Sequence, residues 1–582
     1  MRLVLASIAL VVAIGWSVGI SARDPVTTTA TSVTPVADLI HQEASRLVDD
    51  GVVRGISVGF LDLEAGDRVV GHFGEPEGGA AYGIASVSKI FVAMVASQLV
   101  AEGKLDLETP LADVLPDFSL RRPHPASPPI TVRHLLTHTS GLSRDRIAGM
   151  QSHCVLDDRY LLSHFAEHHQ SLPAGYRHAY SNPGIELLGY ALEEVSGQAF
   201  TDLVADRILR PMALGSTSYS DDEPLGLPRA PSYMPGSGEP VPEPPIRYTA
   251  AGGLTSTADD LLDVVEMLLS DGLSRGTRVL DRDAVEAMFR HQNRDVALDT
   301  DVMMGLAWFL EDLPEPYRGR LVHHGGGSIM LNAMTMLAPE YGMAAVVLAA
   351  TAGSYPAVDG LARQILFAAL EARTGEPPRD QLAQDPAPEA WSADRRAEAR
   401  GRFATASEIL EIGDRDGRLV VRTGDAVHLA RTFDDASFSY SDAFRLHVRQ
   451  VGEERILFLT GPAGTQPIGR ETSEPLAVPG AWLRAQGEYR LTGTCPEGEV
   501  VFYERIRLHV RDNVLRASLH LGPMPASIFG VTAMHNVLIP RGDDVAVMAG
   551  FGRYPGEAVY LETAPDGATV VSFAGLRFTA SR

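Results

Sequence analysis

The chain has 582 residues, of which 45% are hydrophobic and 21% are charged. These values are typical of folded domains and argue against wholesale disorder and against a multi-span membrane protein, and the length predicts two or three domains. The 74 Asp and Glu residues outnumber the 50 Lys and Arg residues, so the net charge is −24. Such an acidic surface repels phosphate backbones, and nucleic-acid binding is therefore not expected.

Residues 1–22 have the order of a secretory signal, with Arg2 followed by an uncharged apolar run from Leu3 to Ile20. We therefore expect an exported protein, periplasmic or extracellular, with residues 23–36 as a linker. The apolar run is nearly long enough to span a bilayer. An uncleaved N-terminal anchor is thus the alternative, and it is the sole expected contact with a membrane.

Residues 37–374 alternate between helical and strand patterns, for example a strand over 56–63 and a helix over 90–100. The mixture predicts an α/β or α+β domain. Residues 224–245 are rich in Pro and Gly and are expected to form a long surface loop at the substrate entrance. Residues 375–392 are rich in Pro, Gln and Asp, which predicts a linker after this domain.

The tail beyond the linker consists of short alternating runs separated by Gly, Asp and Pro, and it is predicted to be all-β. Gly401-Arg402-Phe403 and Gly487-Glu488-Tyr489 each precede a comparable series of strands. This weak repeat predicts two barrel-like modules, residues 393–480 and 481–582. A single larger β domain is the alternative.

The first candidate motif is Ser86-Val87-Ser88-Lys89, at the start of a run that is apolar on every face, as in a helix inside a domain. A helix would place Ser86 and Lys89 on the same side, where a desolvated amine can take the serine proton. The chain has only two lysines, Lys89 and Lys104, and otherwise uses Arg, which cannot lose its proton. The alternative is a serine that caps a core helix beside a snorkelling lysine.

The second candidate motif is Tyr180-Ser181-Asn182, where turn residues precede a helix predicted over 185–196. A phenol whose pKa is lowered by a nearby ammonium can accept the serine proton and return it to a leaving group. Asn182 can hydrogen-bond both Lys89 and a substrate amide. Taken alone, the pattern is better explained by a buried tyrosine followed by an Asn turn.

The third candidate motif is His323-His324-Gly325-Gly326-Gly327, which follows a strand-like segment. A glycine-rich strand lets another backbone approach closely, and it could pair with an acyl substrate, donate to an oxyanion and place a histidine over the site. A glycine-rich hairpin with solvent-facing histidines is the alternative.

In type, order and spacing the three motifs resemble SxxK, YxN and KTG or HxG of the serine β-lactamase and penicillin-binding superfamily. The resemblance is closest to the branch of class C β-lactamases, D-aminopeptidases and esterases. Further segments resemble that branch over about residues 40–370: His134 to Leu142, Leu187-Leu188-Gly189, Ala251 to Thr257 and Gly305 to Trp308.

The resemblance implies a transpeptidase-like fold, an antiparallel sheet flanked by helices, with a lipocalin-like β region as the tail. It implies Ser86 as the nucleophile of an acyl-enzyme, Lys89 and Tyr180 as the coupled base, and Asn182 as the positioning amide. His324 would replace the third-motif Lys, and the Ser86 and Gly327 amides would bind the oxyanion. Gly325 and Gly326 would line the substrate. No cofactor or metal is implied.

The third motif departs from the family pattern because it lacks both the lysine and the hydroxyl that grip a β-lactam carboxylate. Efficient β-lactamase activity is therefore not expected, whereas esterase or D-amino-acid peptidase or amidase chemistry tolerates a neutral imidazole there. The expected partner is a small molecule or peptide that carries an ester, a D-amino-acid peptide bond or a lactam.

Two other functions compete with this interpretation. His164, Glu167 and His168 match the H-x-x-E-H zinc pattern, but no third ligand can be singled out and a polar exposed helix face explains them. The two cysteines, Cys154 and Cys495, support neither a disulfide scaffold nor a thiolate metal site. A binding or regulatory protein that keeps the fold without turnover is the second alternative.

Overall fold

The structure is a computed structural model. It describes residues 27–28, 34–121, 124, 127–148, 150–151, 159–167, 170, 172–219, 227–242, 246–298, 301–379, 386–424, 426–441, 443–461, 464–472, 477–492, 502–551 and 556–580. The expected signal, Cys154 and Cys495 lie outside this part. None of the helices within the described ranges has the length and apolar character needed to span a bilayer.

An eight-stranded antiparallel sheet forms the centre of the first region, in the order β1-β3-β2-β8-β7-β6-β5-β4. Its strands are β1 Thr27–Thr28, β2 Gly55–Asp62, β3 Asp67–Gly74, β4 Met303–Met304, β5 Phe309–Asp312, β6 Arg320–Gly327, β7 Asn332–Ala338 and β8 Met343–Ala349. Short two-stranded sheets join Tyr82–Gly83 to Thr255–Ser256, Ser232–Tyr233 to Pro240–Val241, and Leu273–Ser274 to Thr277–Arg278.

Helices cover both faces of this sheet. In chain order the described helices are α1 Thr34–Asp49, α2 Ser88–Ala101, α3 Leu111–Val114, α4 Val132–Leu136, α5 Tyr160–Glu167, α6 Asn182–Ser196, α7 Phe200–Val204, α8 Arg210–Met212, α9 Thr249–Gly252, α10 Ala258–Leu269, α11 Arg282–Phe289, α12 Tyr355–Thr374, α13 Ala393–Ala399, α14 Gly480–Arg484 and α15 Pro523–Phe529, of which the last three follow this region. A π-helical segment, Ala205–Leu209, lies between α7 and α8.

The central strands β2, β7 and β8 are buried at every position. Helices α1 and α12 pack on one face, and α10 packs on the other, so both sides of each strand need apolar or small residues. This burial explains the continuous apolar runs in their sequences. The expected α+β architecture is confirmed.

Helix α2 lies in the larger core, between the sheet and the helical part of the region. It is buried on almost every side, which explains its apolar residues all around the axis. The 3₁₀ turn before it, Ala85–Val87, lies beside β6 and α9, whereas α6 packs along the helix. Three segments distant in sequence therefore meet at one point.

Two further antiparallel sheets follow α12. The first has the order β12-β11-β10-β9-β16-β15-β14-β13, with β9 Gly401–Thr405, β10 Ile409–Arg415, β11 Arg418–Thr423, β12 Ala426–Leu429, β13 Phe438–Ser439, β14 Arg445–Val451, β15 Glu454–Gly461 and β16 Gly464–Glu471. The second closes into a barrel of β17 Gly487–Thr492, β18 Tyr503–Arg511, β19 Val514–Leu521, β20 Ala533–Pro540, β21 Val545–Met548, β22 Ala558–Thr563, β23 Thr569–Phe573 and β24 Leu576–Ala580. The all-β prediction for the tail is confirmed.

The described part of the segment 224–245 lies largely at the surface, as expected, but it is not irregular throughout. Its described part contains the hairpin of Ser232–Tyr233 and Pro240–Val241, and Tyr233 is buried. The Tyr233 amide donates to the Ala350 carbonyl at 2.9 Å, next to the end of β8. The Pro and Gly content was a correct sign of irregular structure but gave no information about this burial, because the burial depends on a distant strand.

Candidate active site

Ser86 lies in a 3₁₀ turn, Ala85–Val87, directly before α2. Ala85 adopts φ +44°, which is strained for a residue with a side chain. The Ser88 hydroxyl donates to the Ala85 carbonyl at 2.6 Å and accepts from the Leu254 amide at 3.1 Å. These bonds hold the strained turn, and Ser86 is half-buried at its surface.

Lys89 follows Ser86 by one helical turn and is 0% exposed. Its Nζ lies 2.9 Å from Ser86 Oγ and 2.6 Å from the Ala251 carbonyl oxygen. Burial lowers the pKa of Lys89 to about 7, although the Asp145 carboxylate opposes the shift. A substantial fraction of the amine is therefore neutral at physiological pH and can accept the serine proton.

The Ala251 carbonyl is held in place by Glu186, a buried carboxyl that the sequence analysis missed. Glu186 Oε1 accepts from the Thr249 amide and Oε2 accepts from the Ala251 amide, each at 3.0 Å. Burial raises the pKa of Glu186 to about 7. The signal was present in the sequence, because Glu186 interrupts the apolar run of α6, where an unpaired carboxyl would be costly.

Tyr180 lies beside these two residues: Lys89 Nζ is 5.1 Å from its ring centre, and the Ser86 side chain is near enough to influence its pKa. Burial raises the pKa of Tyr180 above its ordinary value, and Ser86 and the nearby Arg144 only reduce that shift. The expectation that the ammonium lowers this pKa is therefore wrong, because desolvation outweighs the nearby charge. Tyr180 is a protonated phenol in the resting site, suited to relay a proton.

Asn182 begins α6, where the Ser181 hydroxyl caps the helix by accepting from the Gly184 amide at 3.0 Å. The Asn182 side chain donates to Asp145 Oδ1 at 2.6 Å. Within the described ranges the partners of Lys89 Nζ are Ser86 Oγ and the Ala251 carbonyl, and the expected contact with Asn182 is not formed. Asp145 is thus a second residue that the sequence analysis missed.

His324 lies on β6, is 1% exposed, and its ring centre is 6.4 Å from that of Tyr180. Burial lowers the pKa of His324 to about 3, and Lys89 contributes to the shift. The imidazole is therefore neutral: Nδ1 donates to the Gly325 carbonyl at 2.8 Å, and Nε2 keeps its lone pair without a partner among the described residues. His323 instead contacts Glu311 at 3.0 Å, so the geometry favours His324 as the site residue.

The glycines of the third motif form the end of β6, beside the Ser86 turn. A Cβ on Gly326 would lie 2.0 Å from the Ile84 carbonyl oxygen, and one on Gly325 would lie 2.1 Å from the Tyr355 hydroxyl. Only glycine permits this approach of β6 to the turn. Gly327 is exposed at the strand end, where a substrate can reach it.

His138 is a further residue with no role assigned from the sequence, although it belongs to the segment His134 to Leu142. Its ring centre lies 4.0 Å from that of Tyr180, and its Nδ1 accepts from the Ser181 amide at 3.2 Å. Burial lowers the pKa of His138 well below its usual value. His138 is therefore a neutral support for the tyrosine ring.

His164 lies on α5 and is buried, with its ring centre 5.1 Å from that of Phe165, so the expected exposed face is wrong at this position. The apolar side of this short helix turns the imidazole inward. His168 lies outside the described residues. In the part of the chain that is described, no group of three or more His, Cys, Asp or Glu side chains could hold a metal ion.

Comparison with known families gives one match, to the family model described as Beta-lactamase. It covers residues 43–370, more than half of the chain. The matched span contains Ser86, Lys89, Tyr180 and His324. It ends within α12, before the two C-terminal sheets.

Penicillin-binding protein 4 of Amycolatopsis lactamdurans is 32% identical over 232 residues, which are 38% of this chain and 59% of that protein. The D-alanyl-D-alanine-carboxypeptidase/endopeptidase AmpH of Escherichia coli K12 is 26% identical, over 54% of this chain and 83% of that protein. Esterase EstB of Burkholderia gladioli is 29% identical, over 32% of this chain and 56% of that protein. The chain thus spans less than two thirds of the first and third of these relatives.

A solved structure of SurE covers 75% of this chain and 99% of its own, with a TM-score of 0.51 and 21% sequence identity. At this identity the likeness concerns the fold alone. Its coverage is larger than the span of the family model, so the likeness includes part of the chain outside residues 43–370.

Proposed function

Because the chain belongs to the Beta-lactamase family, we propose that it is an exported serine hydrolase that cleaves esters or D-amino-acid peptides and amides through an acyl-enzyme on Ser86. The observation that carries this proposal is the 2.9 Å contact of Lys89 Nζ with Ser86 Oγ, made by an amine whose pKa is about 7. The proposal of export rests on the order of residues 1–22.

Acylation begins with proton transfer from Ser86. A neutral Lys89 accepts the Ser86 Oγ proton while one of its N–H groups donates to the Ala251 carbonyl, and Oγ bonds the substrate carbonyl carbon. The Ser86 and Gly327 amides are the proposed donors to the oxyanion. As the tetrahedral intermediate collapses, the bond to the leaving group breaks, and the proton passes from Lys89 through the Tyr180 hydroxyl to the leaving oxygen or nitrogen.

Deacylation uses the same residues in reverse. A water molecule attacks the ester carbonyl and gives its proton to the Lys89 and Tyr180 pair, and Ser86 Oγ leaves and recovers that proton. The raised pKa of Tyr180 keeps the phenol protonated between turnovers. Lys89 is therefore the resting base, and Tyr180 is the relay.

The substrate class follows from the neutral His324. An imidazole with a pKa of about 3 gives no permanent cation for the carboxylate of a β-lactam, but its Nε2 can accept a hydrogen bond from an amide substrate. Two relatives are named as an esterase and a D-alanyl-D-alanine carboxypeptidase. We therefore rank esters and D-amino-acid amides above lactams.

A substrate panel tests this proposal: a p-nitrophenyl ester, a D-alanine p-nitroanilide and a chromogenic cephalosporin. We expect turnover of the ester or the anilide, turnover of the cephalosporin at least about tenfold slower, and loss of all three in Ser86→Ala with unchanged folding. A fluorophosphonate adduct should map to Ser86 in the wild type. A folded protein that forms no adduct and hydrolyses no ester would instead be a binding or regulatory protein.

A further inference from the structure

The C-terminal barrel packs directly against the segment that follows Ser143. The Ile147 amide donates to the Ala574 carbonyl, in the turn between β23 and β24, at 2.8 Å. Ile147 is buried in the same apolar cluster as the barrel residues Trp482 and Phe502. The barrel therefore contributes to the core beside the active site.

Glu557, immediately before β22, reaches from the barrel to the backbone of Arg144. It is 6% exposed, and its carboxyl accepts a hydrogen bond from the backbone amide of Arg144. Burial raises the pKa of Glu557 to about 8, and the nearby Asp145 contributes to the shift. Glu557 is thus a mostly protonated carboxyl at neutral pH, and it still has an oxygen that accepts from Arg144.

Arg144 and Asp145 connect this carboxyl to the candidate catalytic residues. The Arg144 carbonyl accepts from the Asn182 amide at 2.9 Å, and Asp145 accepts from the Asn182 side chain at 2.6 Å. The Arg144 guanidinium carbon lies 4.8 Å from the centre of the Tyr180 ring. A shift of the Arg144–Asp145 backbone would therefore move the surroundings of both Asn182 and Tyr180.

The segment that precedes Tyr180 also contacts the C-terminal sheets. The Arg177 guanidinium carbon lies 4.9 Å from the centre of the Phe551 ring, and the Tyr176 hydroxyl donates to Glu454 on β15. Arg470 on β16 lies over the Tyr176 ring and pairs with Glu454 at 2.6 Å. The segment leading to Tyr180 is thus held by both C-terminal sheets.

We propose that Glu557 is a positioning residue for acyl transfer: it fixes Arg144–Asp145, and through them sets Asn182 and Tyr180 relative to Ser86. The inference rests on the proposed hydrolase function. It predicts that the hydrolase region reaches its full rate only with the barrel docked. Glu557 lies outside residues 43–370, the part of the chain that the family model matches.

The test uses full-length Glu557→Ala and Glu557→Gln, with Glu562→Ala as the matched control. Glu562 lies on the same barrel, where it accepts from Ser572 and pairs with Arg577, away from Arg144. The measurements are the rate of Ser86 acylation by a fluorophosphonate, kcat and KM for a p-nitrophenyl ester, and hydrogen exchange of the peptide containing Arg144.

Glu557→Ala should slow acylation and lower kcat by about 10- to 100-fold with little change in KM, because the misplaced groups act on the reacting atoms. Glu557→Gln should recover most of the rate, since its amide oxygen can accept from Arg144. Exchange near Arg144 should rise in Glu557→Ala and stay low in Glu557→Gln and Glu562→Ala.

Equal acylation of the wild type and Glu557→Ala would overturn the inference alone. Equal losses in Glu557→Gln and Glu557→Ala would also overturn it, because accepting the Arg144 hydrogen bond would then not be the function of the carboxyl. Failure of the wild type to be acylated would overturn the hydrolase proposal, and the positioning role with it, even if exchange near Arg144 responds to the substitution.

Discussion

Burial affects the pKa of Lys89 more than any single neighbour does. Asp145 and Glu186 both raise its pKa, but desolvation of the fully buried side chain lowers it further, to about 7. Arg at this position would keep its charge at any accessible pH. The use of one of only two lysines in the chain at this point therefore has a physical reason.

The rate of Ser86 acylation should rise with pH through about 7. Below that pH Lys89 is protonated and cannot accept the serine proton, and above it the neutral amine predominates, so the rate should climb about tenfold per pH unit well below the midpoint. Stopped-flow measurement of acylation between pH 5 and 8 checks this. A rate that is flat over this range would contradict the assignment of Lys89 as the base.

Two variants distinguish the role of Lys89 as a base from a general loss of activity through disrupted structure. Lys89→Arg should lose at least about 100-fold in acylation rate at every pH, because it keeps the charge without the basicity. Glu186→Gln should move the upper part of the rising limb, near pH 7, to lower pH, since Glu186 carries the charge that raises the pKa of Lys89 only in that range. Glu194→Gln, on the exposed side of the same helix, should leave the profile unchanged.

At the scale of elements, the backbones of β6 and of the turn before α2 approach each other closely. The strand carries His324 and the glycines, and Ile84 lies opposite Gly326. The sequence correctly predicted that three successive glycines permit close approach. It did not reveal which backbone approaches, because Ile84 is more than two hundred residues away in the chain.

Gly326→Ala should destabilise the protein by about 1–3 kcal/mol and reduce activity, because its Cβ meets the rigid Ile84 carbonyl at 2.0 Å. Gly327→Ala is the stability control, since its nearest neighbour, Tyr355 Cδ2, is 3.7 Å away. Thermal unfolding of both variants measures the difference. Equal melting temperatures for the two would contradict the close approach.

At the scale of the whole molecule, the two C-terminal sheets pack against the region that carries Ser86 and add to its site. Ile147, Ile329 and Met330 of the hydrolase region are buried with barrel residues in one apolar cluster. Removing the barrel would expose Ile147, Ile329 and Met330 and would take Glu557 away from Arg144. Folding of the barrel and completion of the site are thus linked.

Glu557 should also make the stability of the molecule depend on pH. Its folded pKa of about 8 lies above the ordinary value of 4.5, so the folded protein binds more protons between these values. The contribution of Glu557 to the free energy of unfolding is therefore fully present below pH 4.5, and it is lost as pH rises through about 8. Asp145 adds to the upward shift, and Arg144 opposes it.

The wild type should therefore lose stability relative to Glu557→Gln between pH 6 and pH 9, by at most about 1.4 kcal/mol per pH unit. Glutamine cannot ionise, so the free energy of burying its side chain does not change at high pH. Calorimetric melting temperatures at both pH values give the comparison, with Glu562→Gln as a control that should show no such difference. A constant gap between wild type and Glu557→Gln would refute the raised pKa.

Local patterns were sufficient for much of the fold and for the candidate residues. Neighbouring residues determine each of these properties. The spacing of Ser86 and Lys89 indicates a shared helix face, and the turn at Tyr180 indicates a helix cap. The glycines indicate that another backbone can approach closely. Helix boundaries were less accurate: α6 begins at Asn182 and not at 185, because the Ser181 cap and Pro183 allow an earlier start.

Tertiary structure decided everything that depends on desolvation and on distant segments. The upward shift of the Tyr180 pKa, the neutral His324 and the partner of Asn182 follow from burial and from Asp145, which no spacing in the sequence connects to them. The same holds for Glu557, which meets Arg144 across more than four hundred residues. The amino-acid sequence by itself determined which groups can react, whereas packing determined their protonation and their partners, because both depend on what excludes water around each group.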